Sequence, residues 1–530
     1  MPLVAVKPFK SPRVSGAAQV SLLTSIPAPV GGLNFRDPIS EMPPTDAMVM
    51  DNFIPQRTGC LLRKGWQYSC NALADPVTSL FSYNAADSAD NKLFAASGGS
   101  IWDVTGEDAV EDQASTGSTD GIWSTTQFAL ASGDVVLLAV SPGAGYWVYE
   151  ATSGWTQTTP TNLPSDLLSV AVWKNRVWFT ENKTSTVWYL EDIDAIDGIA
   201  VAFEMGSLLR NGGSVRGLIN WTLDSGFGVD DYLVVVGTEG DVGVWQGTDP
   251  TSAVTFGLKG VWYVGPVPSI GLFFTAYGGD VMILSELGLV PMSRLVNGQF
   301  SEIQPGPSSK IQNVLSPLIV KYRDDPSWDV ILVPNSDVLI IKLPPQNGIY
   351  IQYAMNVNTG SWCSFSNMPM VCTALLNGQL YFGTDDKAIA KGLFGEEDGL
   401  SINNTSGDAV RGDIQGAFNA FEMPGRLKKF TMVRPVFITL QAPGIKLRMN
   451  TQFSFNNVAG SPSFSGITAS EWDVSLWNTA KWSGTSNTYE SWFGVSGLGY
   501  FGAVRMRVKG LGGSTTLSSY HVLYEPGGIM

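Results

Sequence analysis

Carboxylates are the most numerous reactive groups in this 530-residue chain, with 47 Asp and Glu against 32 Lys and Arg. Glu181, Glu204 and Asp231 are acids of the kind that, as a pair at the right separation, serve general acid–base chemistry, but no spacing selects a pair. The run Asp224-Ser225-Gly226-Phe227-Gly228-Val229-Asp230-Asp231 gathers three carboxylates in one loop. Oxygen ligands of that kind suit Ca²⁺, yet the EF-hand spacing is absent, and an acidic turn ahead of the strand at 232–236 is the simpler account. The single histidine, His521, has no second histidine with which to build a metal site or a proton relay, so it reads as structural. Cys60, Cys70, Cys363 and Cys372 contain no C-x-x-C pair. They read as reduced core thiols, with two close pairs leaving disulfides open as the alternative. The expectation is a chain without catalytic residues, cofactor or resident metal.

The basic residues are more ordered. Lys446 and Arg448 alternate with Ile445, Leu447 and Met449, and Arg505, Arg507 and Lys509 alternate with Met506 and Val508. Period-2 alternation places each basic set on one face of a strand. Two such faces in an acidic chain are the candidate contact for a phosphate backbone or an acidic partner ring. The plainer account is a solvated sheet face. Gly247-Thr248-Asp249-Pro250 follows a strand ending at Trp245 and reads as a tight turn rather than a subunit contact. Arg411-Gly412-Asp413 is a bare tripeptide of the kind chance produces.

The elements that must position these residues are strands. Only 15% of the chain is charged, 44% is hydrophobic, and there are 58 Gly, 17 Trp, 16 Tyr and 25 Phe, a composition of short strands and tight turns. The net charge of −15 argues against a tight duplex binder, since such affinity rests on Lys and Arg neutralising phosphates. It suits a surface that DNA passes without sticking, and it also serves plain solubility. No h-region of a signal peptide and no run of 18 apolar residues is present, so a soluble, non-exported chain without stable membrane insertion is expected.

An apolar run, a polar turn and a second apolar run recur along the chain. Equivalent positions are Leu93, Val135, Val177, Leu233, Met282, Ile331 and Leu380, at intervals of 42, 42, 56, 49, 49 and 49 residues. A lone hairpin cannot bury its apolar face. One returning at this interval, with room for two more strands, predicts a β-propeller of six or seven blades. Stacked small β domains or a sandwich array are the counter-reading. The fold class is therefore all-β, a propeller plus a second β-rich platform. Residues 1–30 read as an arm, 31–80 as a segment packing with the C-terminal region, 81–398 as the propeller and 399–530 as the C-terminal platform. Within 40–65, the spacing of Ala47, Met50 and Ile54 behind Pro43-Pro44-Thr45-Asp46 predicts a short helix stopped by Pro55. GEEDGLSINNTSGD, from 395, reads as a polar linker. A Trp-rich stretch with Trp472, Trp477, Trp482 and Trp492 follows, between strands near 429–440, 445–455, 501–508 and 520–524.

Two stretches carry a resemblance. Residues 31–66 hold Gly32-Leu33-Asn34, Arg36-Asp37, Met42-Pro43, Asp46-Ala47, Asp51-Asn52, Pro55 and Arg63-Lys64-Gly65-Trp66. Residues 212–295 hold Trp221-Thr222, Asp224, Gly226, Asp230-Asp231, Gly240, Trp245, Gly247-Thr248-Asp249-Pro250, Gly265-Pro266 and Gly278-Gly279-Asp280. Both resemble the tail nozzle, or packaged-DNA stabilisation, proteins of short-tailed phages (podoviruses). The resemblance implies a structural virion protein assembled in the host cytoplasm. It implies a homo-oligomeric ring, usually a hexamer, beneath the head–tail connector ring. Outward propellers would dock tail fibres or receptor-binding proteins, and a central channel would retain and then pass genomic double-stranded DNA. The rival readings are a receptor-binding propeller without a conduit and a carbohydrate-active, sialidase-like one. For the latter, Ser118-Thr119-Asp120-Gly121-Ile122-Trp123 resembles an Asp-box turn, but with the wrong spacing and no repetition.

Overall fold

The computed structural model describes residues 21–529 apart from 119–120, 225–228, 253, 299–305, 404–406 and 465–486. Runs of Val, Ile, Leu and aromatic residues take extended backbone, and each pairs antiparallel with the next across a short turn. The first blade is Val77–Tyr83, Lys92–Ser97, Ser100–Asp103 and Val110–Gln113, and the second is Ser124–Ala129, Val135–Ser141, Gly145–Glu150 and Gly154–Thr158. The third is Leu167–Trp173, Arg176–Glu181, Thr186–Leu190 and Ala200–Glu204. The fourth is Val215–Asp224, Val229–Gly237, Asp241–Gly247 and Phe256–Tyr263, and the fifth has three strands, Phe274–Tyr277, Asp280–Ser285 and Gly288–Pro291.

The ring closes by joining the two ends of the propeller. Cys372–Leu376, Gln379–Gly383 and Ile389–Gly392 form a meander whose outermost strand is Trp66–Cys70, from far earlier in the chain. That makes six free-standing blades among the described residues. Between the fifth and the closing blade lies a further meander, Asp329–Val333, Val338–Lys342, Gln352–Asn356 and Ser361–Phe365, which belongs to a larger sheet. The first strand of every unit faces a common central cavity. Six of the seven recurring sequence positions lie in the second strand of their unit, with Ile331 in the first. Because Trp66–Cys70 and Val77–Tyr83 are both blade strands, the propeller begins before residue 81.

Aromatic and branched side chains fill the spaces between blades. Phe81, Phe94, Tyr149 and Trp155 bind the first blade to the second, with Phe94 and Trp155 rings edge-on at 5.3 Å. Trp173, Trp178 and Phe256 bind the third to the fourth. Burying one such side chain contributes about 1.5–3 kcal/mol, so each seam is a substantial core of its own.

The large sheet leaves the propeller without a break. Ser361–Phe365 meets Asp46–Asp51 in parallel, and that strand pairs with Asp408–Gly416. Gly502–Gly510 and then Gly444–Thr451 follow, giving ten strands in all. A seven-stranded sheet packs beside it, built on the long pair Arg426–Thr439 and Thr516–Ile529. Leu22–Pro27 adds to this pair at Thr516–Ile529, so part of the expected N-terminal arm is a paired strand. One continuous core spans the shared meander and both large sheets.

Two expectations fail. The helix around Ala47, Met50 and Ile54 is absent; the residues form the strands Asp46–Asp51 and Phe53–Pro55. Asp46–Asp51 is flanked by strands on both sides and buried on both faces, and a short apolar run of that kind has no period to separate it from a helix. The linker from 395 is partly structural, since Glu397–Asp398 pairs with Asp408–Gly416 and Asp398 is buried. Trp472, Trp477 and Trp482 lie outside the described residues.

Candidate functional site

Several polar residues of the stretch 31–66, Asn34, Asp46, Asp51, Asn52 and Arg63 among them, form a clasp between the propeller and the second β region. Arg63 is fully buried and donates through both terminal nitrogens to Asp398, at 2.7 and 2.9 Å. Its Nε donates to Asn52 Oδ1 at 2.7 Å, and Asn52 Nδ2 donates to the Arg411 carbonyl at 2.7 Å. A buried guanidinium is tolerated because the bidentate pair and the added acceptors replace its water. Asn52 holds φ at 60°, in the left-handed region that Asn tolerates better than most residues. Asp51 accepts from Ser366 Oγ at 2.5 Å and from Ser364 Oγ at 3.1 Å. Burial pushes its carboxyl up to about 6, against the opposing pull of those hydroxyls and Arg63. Asn34 donates to Asp46 at 2.6 Å, and Lys310 pairs with Asp46 at 2.9 Å. Gly65 lies so close to the chain that a Cβ there would stand 1.8 Å from the Glu397 carbonyl oxygen.

The stretch 212–295 is used differently, in blade turns. Asp231 accepts from Thr222 at 2.9 Å and from Lys174 at 2.6 Å. Asp249 accepts from Thr251 N at 2.9 Å and so closes the turn on itself. Asp280 accepts from Ser293 N at 3.0 Å and from Ser293 Oγ at 2.5 Å.

The five basic residues of the platform are brought onto one sheet face. Gly444–Thr451 and Gly502–Gly510 are neighbours, with Lys446 opposite Arg507 and Arg448 opposite Arg505. Asp408–Gly416 lies on the far side, with Asp413 opposite Arg507 and Arg411 opposite Lys509. Like charges placed directly across from each other repel. Asp413 offsets part of this by bridging Arg505 at 3.0 Å and Arg507 at 3.1 Å. Arg507 Nη1 also donates to the Val458 carbonyl at 3.2 Å, and Lys509 reaches Asp408 at 3.5 Å. Arg505 is buried, Arg507 and Lys509 are half-buried, and Lys446 and Arg448 are exposed. Among the described residues the last two make no ion pair. Asp413 thus pairs with two cations and Asp408 with Lys509 and Arg411, so the positive excess, Lys446 and Arg448, sits at the sheet edge. Arg411 joins this face; read as part of a chance tripeptide, it was not among the five, and only the register of Asp408–Gly416 reveals it.

The propeller's central cavity, about 560 Å³, is lined mainly by Ser, Thr and apolar side chains with three charged groups: Arg216, Asp329 and Lys342. Asp329 and Lys342 are register partners on adjacent strands. Burial pushes the Asp329 carboxyl up and the Lys342 ammonium down, each moderated by the other's charge. Asp329 accepts from Thr373, and Lys342 donates to the Val371 carbonyl at 2.7 Å. Sequence reading missed all three, because a charged residue inside a strand carries no sign of which way it faces.

The remaining candidates have local duties. Glu181 accepts from Trp188 Nε1 at 3.0 Å and Glu204 from Thr186 Oγ1 at 2.9 Å. His521 Nδ1 accepts from Arg434 at 2.8 Å, since a guanidinium has nothing to accept with. All four cysteines are buried and unbridged, and burial pushes their thiols up. Thr119 and Asp120 of the Asp-box-like run, and residues 225–228 of the acidic loop, lie outside the described residues. Among the described residues no cluster of three His, Cys, Asp or Glu could hold a metal ion, and no helix is long and apolar enough to cross a membrane.

No protein-family model matches the chain, and no curated protein does. Among solved structures it is similar to BBS1N in complex with ARL6DN, in crystals soaked with lead or with mercury. Identity is 12% and 11%, with TM-scores of 0.39 and 0.38 and 63% of this chain covering 98% of that one. The β-propeller stands on the sheet order and the shared central cavity described above.

Proposed function

We propose that this chain is a structural, non-enzymatic component of a short-tailed phage tail. In this reading its platform region assembles copies into a ring around a genome channel, with propellers available to fibres or receptor-binding proteins. The observation that carries it is the clasp. In the first of the two stretches that resemble the phage family, Arg63 and Asn52 tie the Ser366 end of the shared meander to Asp398 of the platform. Rigid coupling of two all-β bodies is what a load-bearing conduit with outward appendages requires. Two further features agree. Among the described residues the central cavity offers one carboxylate, and it sits beside a lysine, whereas glycoside hydrolysis needs two acids flanking a bond. The basic face, in a chain of net charge −15, is suited to an acidic partner ring or a phosphate backbone.

The test combines a glycan-release screen with native mass spectrometry on the purified full chain. The proposal expects no released sugar and a closed oligomer of one size. Sugar release from a monomer would replace it with the carbohydrate-active reading.

A further inference from the structure

A guanidinium removed from water needs an anion or a full set of acceptors. Arg216 has neither. Its Nε donates to the Pro268 carbonyl at 2.7 Å and its Nη2 to the Gly271 carbonyl. The cation lies 4.6 Å from the centre of the Phe273 ring. Among the described residues Nη1 donates to nothing, and no carboxylate pairs with the group. The side chain is only 4% exposed, yet it lines the central cavity. Arg63, also deeply buried, shows the contrast, with Asp398 held on two hydrogen bonds.

Among the described residues the other charges of the cavity do not supply the missing anion. Asp329 faces Lys342 across a strand pair, so that couple is close to neutral, and Arg216 leaves the cavity with a net positive charge. Burial alone accounts for the depression of the Arg216 guanidinium to about 9, with no carboxylate opposing it. The cavity is of a size that holds small molecules.

We propose that the propeller's central cavity is a binding site for a small oxyanion, held by Arg216 through Nη1 among the hydroxyl-bearing inner strands. Binding would be charge-assisted and would complete the coordination of a cation that the fold leaves uncompensated. The two carbonyl bonds hold the guanidinium in place before the anion arrives.

The experiment titrates the purified full chain with inorganic phosphate at constant ionic strength, made up with chloride. Thermal unfolding and calorimetry provide the readouts. A ligand that binds only the native state raises the Tm in a saturable way. The expected result is a saturable rise for the wild type and at least a roughly tenfold loss of phosphate affinity in Arg216→Met. No rise in the wild type, or an equal rise in a folded Arg216→Met, overturns the proposal. If that variant does not fold, crystals of the wild type soaked in selenate decide. An anomalous peak beside Arg216 supports the site, and an empty cavity overturns it.

Discussion

Asp398 shows how much one side chain holds. It sits nearly inaccessible against Arg63, in a segment that composition marks as a polar linker. Arg63→Met leaves the carboxylate buried and unpaired, which costs about 3–5 kcal/mol. Denaturant midpoints should fall accordingly. The double variant Arg63→Met with Asp398→Leu should recover most of the loss, because replacing both members of a buried pair is often close to neutral. A single variant within about 1 kcal/mol of wild type would mean the clasp is not under load. Asp51 gives a pH dependence of opposite sign to that of an ordinary paired acid. Its folded pKa, about 6, lies above the usual 3.8, so the native state holds the proton more tightly than the unfolded chain does. Stability from this group is therefore full below about pH 4 and is lost as pH rises through 6, by on the order of 3 kcal/mol. Urea midpoints between pH 4 and 7 check this. Asp51→Asn should gain on wild type as pH rises, and parallel curves would refute the assignment. None of this was readable from residue types: Arg63 and Asp398 are 335 positions apart, and only the fold brings them together.

At the scale of elements, the hairpin rhythm was legible and the long-range pairings were not. The recurring apolar positions locate the blades because each hairpin is local and its turn chemistry is written beside it. Trp66–Cys70 closing a blade with Ile389–Gly392, or Asp46–Asp51 joining Ser361–Phe365 to Asp408–Gly416, depends on partners hundreds of residues away. The same gap explains the misread helix at 46–54, whose Ala47 and Met50 are buried by strands on either side. The alternating basic strands were legible one at a time, but their adjacency and the bridging Asp413 were not. The joint is tightest at Gly65, where the chain passes the backbone of Glu397 too closely for any side chain. Gly65→Ala should cost about 2–3 kcal/mol by overpacking. It should also weaken the coupling of the two regions, so that one thermal transition becomes two by calorimetry. A single unshifted transition would show that the contact is slack.

For the whole molecule, the charge distribution separates the cations paired within the fold from those exposed at the sheet edge. Arg505 is internally paired with Asp413, so Arg505→Glu should destabilise the chain itself. Lys446 and Arg448 are exposed at the sheet edge. Lys446→Glu with Arg448→Glu should leave the Tm within about 2 °C of wild type, as surface changes usually do, while loosening subunit or DNA contacts. Sedimentation at low and moderate salt reads this out, and an unchanged oligomer with unchanged DNA retention would remove the face from the interface. The central claim is that the platform, held rigidly to its propeller, lines a channel with sister copies. Cryo-electron microscopy of the purified full chain tests it most directly. The account predicts a rotationally closed ring with propellers outside and the two large sheets of the platform facing a central hole. A lone propeller at micromolar concentration, with that region turned to solvent, would contradict it.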